Sequence, residues 1–405
     1  MQTVYGKAVR MRPYPVILVP GIGQSRTRLT ENGKLAWPLD VDTEKLKKTL
    51  LSPAIRMVLF RHDCGFEKAL RKAVREALEP LRSTQDGHLV HPVRVETFEN
   101  SLAHCTAEQR HFISRMVPYS VFAEPVGEEN LYYFAYNPMG DAGQTVEDLR
   151  AFVCRILEQT GAPKVSFVAI SLGGSIITQY LERYVSCGDT ARVIGIVAAF
   201  DGSRLLSGIL QKNISTRGMT PIAELLLGRK AAQALEKSAG LIPHKLLHRY
   251  ADAVLDCLPE VLLRSTVMWG AIPASQYPEL CERFLSGEPF AALRARTQEA
   301  YRVRANLPAL AENCARYGTD IYSLYGCGRH LLAVNDAADS DGIVHASSCR
   351  MGETAQESPI AGNTRAFPGM EHEDAAKEPT LLALCAALLC EDVENIHTFN
   401  GKAAL

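Results

Sequence analysis

Apolar positions along this chain follow two alternating rhythms. Pro15-Val16-Ile17-Leu18-Val19-Pro20 is an unbroken apolar run closed by the loop Gly21-Ile22-Gly23-Gln24-Ser25. A run this short, bounded by turn residues, predicts a buried strand. Leu131 to Tyr136 (LYYFAY), Val165 to Ile170, Val193 to Ala199 and Asp320 to Tyr325 repeat the pattern. Between these runs apolar residues recur three and four apart. Phe66, Leu70, Ala73, Val74, Ala77 and Leu78 mark one amphipathic helix. Val146, Leu149, Phe152, Val153, Ile156 and Leu157 mark a second, with Thr145 and Asp148 as a capping pair and Gly161 as its stop. Ile176, Ile177, Tyr180, Leu181 and Tyr184 mark a third, and Leu381 to Leu389 a closing helix. Strands alternating with helices predict a mostly parallel α/β sheet flanked by helices.

The rhythm breaks in three places. Residues 30–60 are mixed, with Trp37-Pro38 interrupting the pattern, and residues 82–130 are polar and irregular. Residues 204–315 are nearly all helical in pattern, with Leu246, Leu247, Tyr250, Val254 and Leu258 forming one stripe. This segment reads as a helical cap inserted before the strand that carries the acid. The expected organisation is a core over 1–203 with an insertion at about 30–130, a cap over 204–315, and the rest of the core over 316–405. A stripe in such a cap packs against its own domain or lines an acyl-binding cleft. Trp269 and Tyr277, which interrupt its helices, are the candidates for lining substrate.

Composition narrows the class. Of 405 residues, 47% are hydrophobic and 22% charged, an ordinary soluble balance. Lys+Arg 44 against Asp+Glu 45 leaves a net charge of -1, so no broad basic surface is expected and nucleic acid is not an expected partner. No run approaches the roughly 20 apolar residues of a membrane span, and no apolar signal core precedes the first strand. A cytoplasmic protein is the expectation, with secretion left open. The 11 cysteines are odd in number and show no CxxC spacing, and Cys385 and Cys390 read as small core residues. That favours a reduced compartment over a disulfide framework.

The candidate chemistry starts at Ala169-Ile170-Ser171-Leu172-Gly173. A predicted strand stops at Ser171 and a predicted helix begins just after it. Small residues two positions either side permit a tight turn, which aims the serine hydroxyl off the end of the sheet. A serine hydroxyl is a weak nucleophile and needs a base, itself oriented by a carboxylate. Four histidines lie beyond the last apolar strand: His330, His345, His372 and His397. His330 precedes every candidate acid of its loop, His345 follows the Asp341 turn too closely, and His397 sits in the tail. His372 occupies a loop before a helical segment and is the preferred base. Asp336, Asp339 and Asp341 are candidate acids. Asp341 is preferred because Asp341-Gly342-Ile343-Val344 reads as a rigid turn, with Asp201 as the outside candidate. The backbone N–H groups of Leu172 and Ile22 are expected to meet an oxyanion. Gly21-Ile22-Gly23 is not a dinucleotide fingerprint, since Arg26 stands where a third glycine is needed. His244 and His248 lie four apart with no Glu between them, so the metalloprotease pattern is absent. No metal and no cofactor is expected.

PVILVPGIGQS, AISLGG, SDGIVHASS and MEHED resemble the corresponding segments of the α/β-hydrolase superfamily. More narrowly, they resemble lipases and the lecithin:cholesterol acyltransferase-like group, with its Pro-Gly loop, Asp-Gly-x-Val turn and late histidine. The matching islands run from about Pro15 to Leu389, while residues 30–130 and 204–315 match nothing specific. The resemblance implies an α/β-hydrolase fold, a Ser171, Asp341, His372 triad, and Ile22 and Leu172 as oxyanion donors. It also implies carboxylic ester substrates, often acyl lipids, with peripheral lipid contact compatible with the chain. Cys257, Cys281 and Cys314 mark no lid loop of that group. Three functions follow: an ester hydrolase working through an acyl-enzyme, an acyltransferase or thioesterase with the same triad, and a non-catalytic binding protein on the same scaffold. Oligomeric state is not read from the chain.

Overall fold

The computed structural model describes residues 13–213, 244–331, 334, 336–390, 393 and 395–399. In chain order its strands are β1 (Val16–Val19), β2 (Thr27–Leu29), β3 (Leu35–Trp37), β4 (Val93–Val95), β5 (Leu131–Tyr133), β6 (Val165–Ile170), β7 (Thr190–Ile196), β8 (Asp320–Cys327) and β9 (Thr364–Pro368). The first helices are α1 (Thr43–Phe60), α2 (Phe66–Leu78), α3 (Ala107–Met116), α4 (Tyr119–Val126), α5 (Ala142–Thr160), α6 (Gly173–Tyr184) and α7 (Arg204–Leu210). They continue as α8 (His244–Leu255), α9 (Pro259–Leu262), α10 (Thr266–Gly270), α11 (Tyr277–Phe284), α12 (Ala291–Arg304), α13 (Leu307–Arg316), α14 (Ala346–Cys349) and α15 (Pro379–Cys390).

Six strands form one parallel sheet in the order β5-β1-β6-β7-β8-β9. Alternation sorts its side chains to two faces. Ile17 and Val19 of β1 and Phe167 and Ala169 of β6 pack with Val146, Leu149 and Val153 of α5 and Ile176 and Tyr180 of α6. Val16, Leu18 and Val168 face the opposite way, onto Phe112, Phe122, Leu381, Leu384 and Leu388 from α3, α4 and α15. Burial on both faces is why these strands read as continuous apolar runs. β2, β3 and β4 form a separate antiparallel sheet in the order β3-β2-β4. The architecture is the α/β-hydrolase fold: the β1, β6, β7, β8 and β9 loops that matter all leave the carboxyl ends of a parallel sheet.

Several local expectations change. Residues 30–60 contain β3 and α1, and residues 82–130 contain β4, α3 and α4, so neither stretch is irregular. α3 opens with a capping box in which Thr106 accepts from the Gln109 N–H. α5 starts earlier than the Thr145–Asp148 pair, because the Asp141 side chain accepts from the Gln144 N–H. Thr145 instead donates back to the Asp141 carbonyl inside the first turn. Gly161 does end α5, at φ 67, with its N–H on Leu157. Cys385 is buried, but Cys390 is exposed rather than core.

The predicted helical cap divides. α10, α12 and α13 join the main core through Trp269, Leu293 and Leu310. The Ser175 hydroxyl of α6 donates to the Gly270 carbonyl of α10. Arg304 is buried among these helices and donates to the carbonyls of Ile272, Ala300 and Trp269. α8 packs elsewhere: Tyr250 and Ala253 meet Met57, Phe66 and Leu70 of α1 and α2 in a satellite core, with the Phe66 and Tyr250 rings 4.8 Å apart. Residues 214–243 of the predicted cap, and the Leu247 side chain of its stripe, lie outside the described residues.

Candidate active site

The turn between β6 and α6 holds Ser171 at φ 51, in the left-handed region that a side chain enters only at a cost of about 1–2 kcal/mol. Neighbouring backbone fixes it there. The Ser171 N–H donates to the Ile196 carbonyl at 3.2 Å, and the Ser171 carbonyl accepts from Gly174 at 3.0 Å and Ala199 at 2.9 Å. The small residues have specific reasons. A Cβ on Gly173 would sit 2.2 Å from the Val19 carbonyl oxygen, and one on Gly174 would sit 2.9 Å from the Ala198 Cβ. Beside this turn, Val197 also lies at positive φ (44), a conformation that is an outlier for a β-branched residue.

Two further loops reach Ser171. After β9, His372 opens a 3-10 turn, His372–Ala376. Its Nε2 lies 3.0 Å from Ser171 Oγ and its Nδ1 lies 2.7 Å from Asp341 Oδ2. The His372 N–H also donates to the Asp341 carbonyl at 3.0 Å. After β8, the Asp341 carboxylate is buried, and its Oδ1 accepts the N–H groups of Ile343 at 2.9 Å and Val344 at 2.8 Å. Gly342 makes that turn at φ 98. One carboxylate oxygen is thus satisfied by backbone, leaving the other for the imidazole. Close approach again requires glycine: a Cβ on Gly326 would lie 2.4 Å from the Met370 carbonyl and 2.8 Å from the Asp341 Cβ.

The loop after β1 completes the arrangement. A Cβ on Gly21 would stand 3.1 Å from Ser171 Cβ, so the loop lies directly against the serine. Its carbonyls are drawn away by side chains: Tyr136 OH donates to Pro20 at 2.8 Å, Trp37 Nε1 to Ile22 at 2.8 Å, and Tyr133 OH to Gln24. The Gly21 N–H is taken by Gln24 Oε1 at 2.6 Å. Among the described residues, no acceptor engages the N–H of Ile22 or of Leu172. Sequence reasoning singled out Ile22 and Leu172 but missed Trp37, Tyr133 and Tyr136. The available signal was the polar tip on each buried aromatic, which must find a partner.

The remaining candidates lie elsewhere. Asp339 accepts from the Gly328 N–H, and Asp336 approaches Arg204 at 3.8 Å, so neither faces His372. Asp201 accepts the Ala274 N–H at 2.9 Å, and burial pushes its pKa up to about 6. His345 is buried, and its pKa is pushed down to about 4 by that burial and then by Arg204. His330 and His397 are exposed. Trp269 and Tyr277, the expected substrate-lining pair, are core residues instead: Trp269 is 0% exposed and donates to the Leu263 carbonyl, and Tyr277 is 3% exposed and bonded to Thr297. The two rings pack edge to face at 5.5 Å, which removes both from any open surface. Among the described residues no group of three His, Cys, Asp or Glu side chains is arranged to hold a metal. No described helix is long and apolar enough to cross a membrane.

No family model matches the chain. No curated protein matches it either. The chain is similar to several solved structures at low identity. One, from work on the hydrolytic potential of the ammonia-oxidizing thaumarchaeon Nitrososphaera gargenis and its carboxylesterases, is 15% identical over 94% of this chain and 93% of that chain, with a TM-score of 0.35. The Tle4-Tli4 complex is 12% identical over 93% and 97%, with a TM-score of 0.44. MGS-M2, an alpha/beta hydrolase enzyme from a Medee basin deep-sea metagenome library, is 14% identical over 67% and 82%, with a TM-score of 0.29. Likeness at this level assigns no substrate and no residue role.

Proposed function

We propose that this chain is a serine-dependent carboxylic ester hydrolase, with Ser171 as nucleophile, His372 as general base and Asp341 as the carboxylate that orients it. The observation that carries this reading is the continuous line from Asp341 Oδ2 to His372 at 2.7 Å and from His372 to Ser171 Oγ at 3.0 Å. With its proton on Nδ1, donated to Asp341, the imidazole presents a lone pair at Nε2 to the serine hydroxyl. Ser171 Oγ attacks the ester carbonyl carbon as its proton passes to His372. The tetrahedral oxyanion accepts the N–H groups of Ile22 and Leu172. Collapse expels the alcohol, which takes the proton from His372, and leaves the acyl group on Ser171. Water, deprotonated by His372, then attacks the acyl-enzyme and releases the acid. Asp341 Oδ2 holds the imidazole through its Nδ1 proton and stabilises the imidazolium that forms transiently.

The narrower reading, acyl lipids as substrates, is supported by the resemblance of the Pro-Gly loop and the Asp-Gly-Ile-Val turn to the lipase and acyltransferase-like groups. The non-catalytic alternative would gain from a broken relay, and both relay distances lie within hydrogen-bonding reach. A fluorophosphonate probe tests the proposal. Labelling of the folded protein at Ser171, lost in Ser171→Ala and Ser171→Cys reacting differently, is the expected result; a folded chain that takes no label at Ser171 refutes it. A series of p-nitrophenyl esters then reads acyl-chain length, and product analysis with added alcohol separates hydrolysis from transfer.

A further inference from the structure

Six large hydrophobic side chains are exposed among the described residues, and five of them lie on α1: Leu51, Ile55, Val58, Leu59 and Phe60. Leu59 is 71% and Phe60 62% exposed. Scattered exposed apolar residues need no explanation, but five on one helix do. The helix has two apolar faces. Leu50, Ala54 and Met57 turn inward to the satellite core shared with α2 and α8. Leu51, Ile55 and Leu59 follow one another at four-residue spacing roughly a third of a turn round the helix from that inward face, with Val58 between the two.

Charge identifies the occupant. Lys48 and Arg56 on α1, and Arg61 at its C-terminal end, are exposed around the apolar stripe. Glu44, the acidic residue of the first turn, is occupied by Lys47 at 2.7 Å. Among the described residues none of Lys48, Arg56 and Arg61 pairs with a carboxylate. The overall charge is only -1, so this cationic rim is a local feature and not a reflection of a basic chain. A second copy docked on the same patch would bring cation to cation, since Glu44, the one acidic residue of α1, is already held by Lys47. An apolar stripe with a cationic border matches a lipid interface bearing anionic headgroups.

We propose that α1 is a peripheral membrane-docking helix that lays Leu51, Ile55, Val58, Leu59 and Phe60 into the headgroup region of an anionic lipid surface. α1 rests on the surface and does not span it, since no described helix is long and apolar enough to cross. The apolar side chains supply burial, and Lys48, Arg56 and Arg61 supply attraction that weakens as salt rises. The proposal stands apart from the reading of Ser171, because surface attachment requires no catalysis.

Co-sedimentation of the purified full chain with vesicles tests it. Phosphatidylcholine vesicles are compared with phosphatidylcholine vesicles containing phosphatidylglycerol, at low and high salt. The expected result is binding to the mixed vesicles that falls with salt. Ile55→Asp with Leu59→Asp should reduce the vesicle partition coefficient about ten-fold or more, from lost apolar burial and added negative charge. Lys48→Glu with Arg56→Glu should remove the preference for the anionic vesicles. All four positions are exposed, so an unchanged urea midpoint shows that each variant folds. Vesicle binding that is absent in the wild type, or equal in the wild type and the Ile55→Asp, Leu59→Asp variant, overturns the proposal. So does a concentration-dependent dimer that Leu59→Asp dissolves in the absence of vesicle binding, which would make a second copy the occupant.

Discussion

Asp341→Asn tests the proposed relay with the least disturbance of shape. An asparagine keeps the backbone turn that Ile343 and Val344 close on Oδ1, yet lets the imidazole settle in the wrong tautomer. The expected outcome is a fall in kcat of about 10⁴ with little change in KM, measured on a soluble p-nitrophenyl ester. Trp37→Phe addresses the loop after β1. It leaves the Ile22 carbonyl without its indole donor and frees that peptide to rotate. A drop in kcat of roughly ten-fold at nearly constant KM is expected, since the Ile22 N–H is proposed to act only on the oxyanion. Two buried groups set opposite pH dependences. His345 is held neutral, its pKa lowered from 6.5 to about 4. Between those values the unfolded chain binds a proton that the folded chain does not, so stability is lost as pH falls through the window. Asp201 is raised from 3.8 to about 6, so the folded state holds the extra proton and its contribution is lost as pH rises through about 6. The urea midpoint at about pH 4.5 should therefore stand higher, relative to that at about pH 7.5, in His345→Gln than in the wild type.

The turn joining β6 to α6 works as one unit with the end of β1. Gly173→Ala forces a methyl group to within 2.2 Å of the Val19 carbonyl oxygen, and backbone cannot yield as a flexible side chain can. The expected cost is about 2–4 kcal/mol in urea unfolding, with loss of fluorophosphonate labelling because Ser171 moves with the helix start. Helices differ in how visible their patterns are. α2 and α5 carry apolar residues on one face only and are plain in the chain. α1 escaped because it is apolar on both sides: Leu50, Ala54 and Met57 toward the satellite core, Leu51, Ile55 and Leu59 toward solvent. That doubling blurs the helical period, and it is the property that makes α1 a docking face. α3 was missed: its capping box, Thr106 with Gln109, stands in a stretch whose polar composition hides the helix.

Over the whole molecule, distant segments build structures that no local pattern announces. α1 and α2 share with α8 the satellite core of Met57, Phe66, Leu70, Tyr250 and Ala253. Arg71 of α2 ties the same segments further, reaching Asp256 at 2.8 Å. A small core of this kind opens at lower free energy than a two-faced sheet. Hydrogen exchange should show the backbone amides of α1, α2 and α8 losing protection together, ahead of those of β6, β7 and β8, and Tyr250→Ala should accelerate that shared phase while leaving the sheet unchanged. By itself the chain determined the alternation of strands and helices, hence the parallel sheet, because burial on one or two faces imposes a short-range period. It also determined where a serine at a strand–helix turn, a rigid Asp-Gly turn and a late histidine fall in chain order. Only the tertiary structure decided that Asp341 and not Asp336, Asp339 or Asp201 meets His372, that Trp37 and Tyr136 hold the loop carrying Ile22, and that Trp269 and Tyr277 are core. It alone decided that Leu51, Ile55 and Leu59 of α1 are exposed. Each of these is a contact, or a missing contact, between segments tens to hundreds of residues apart, and local hydrophobic period carries no record of which distant segment will arrive.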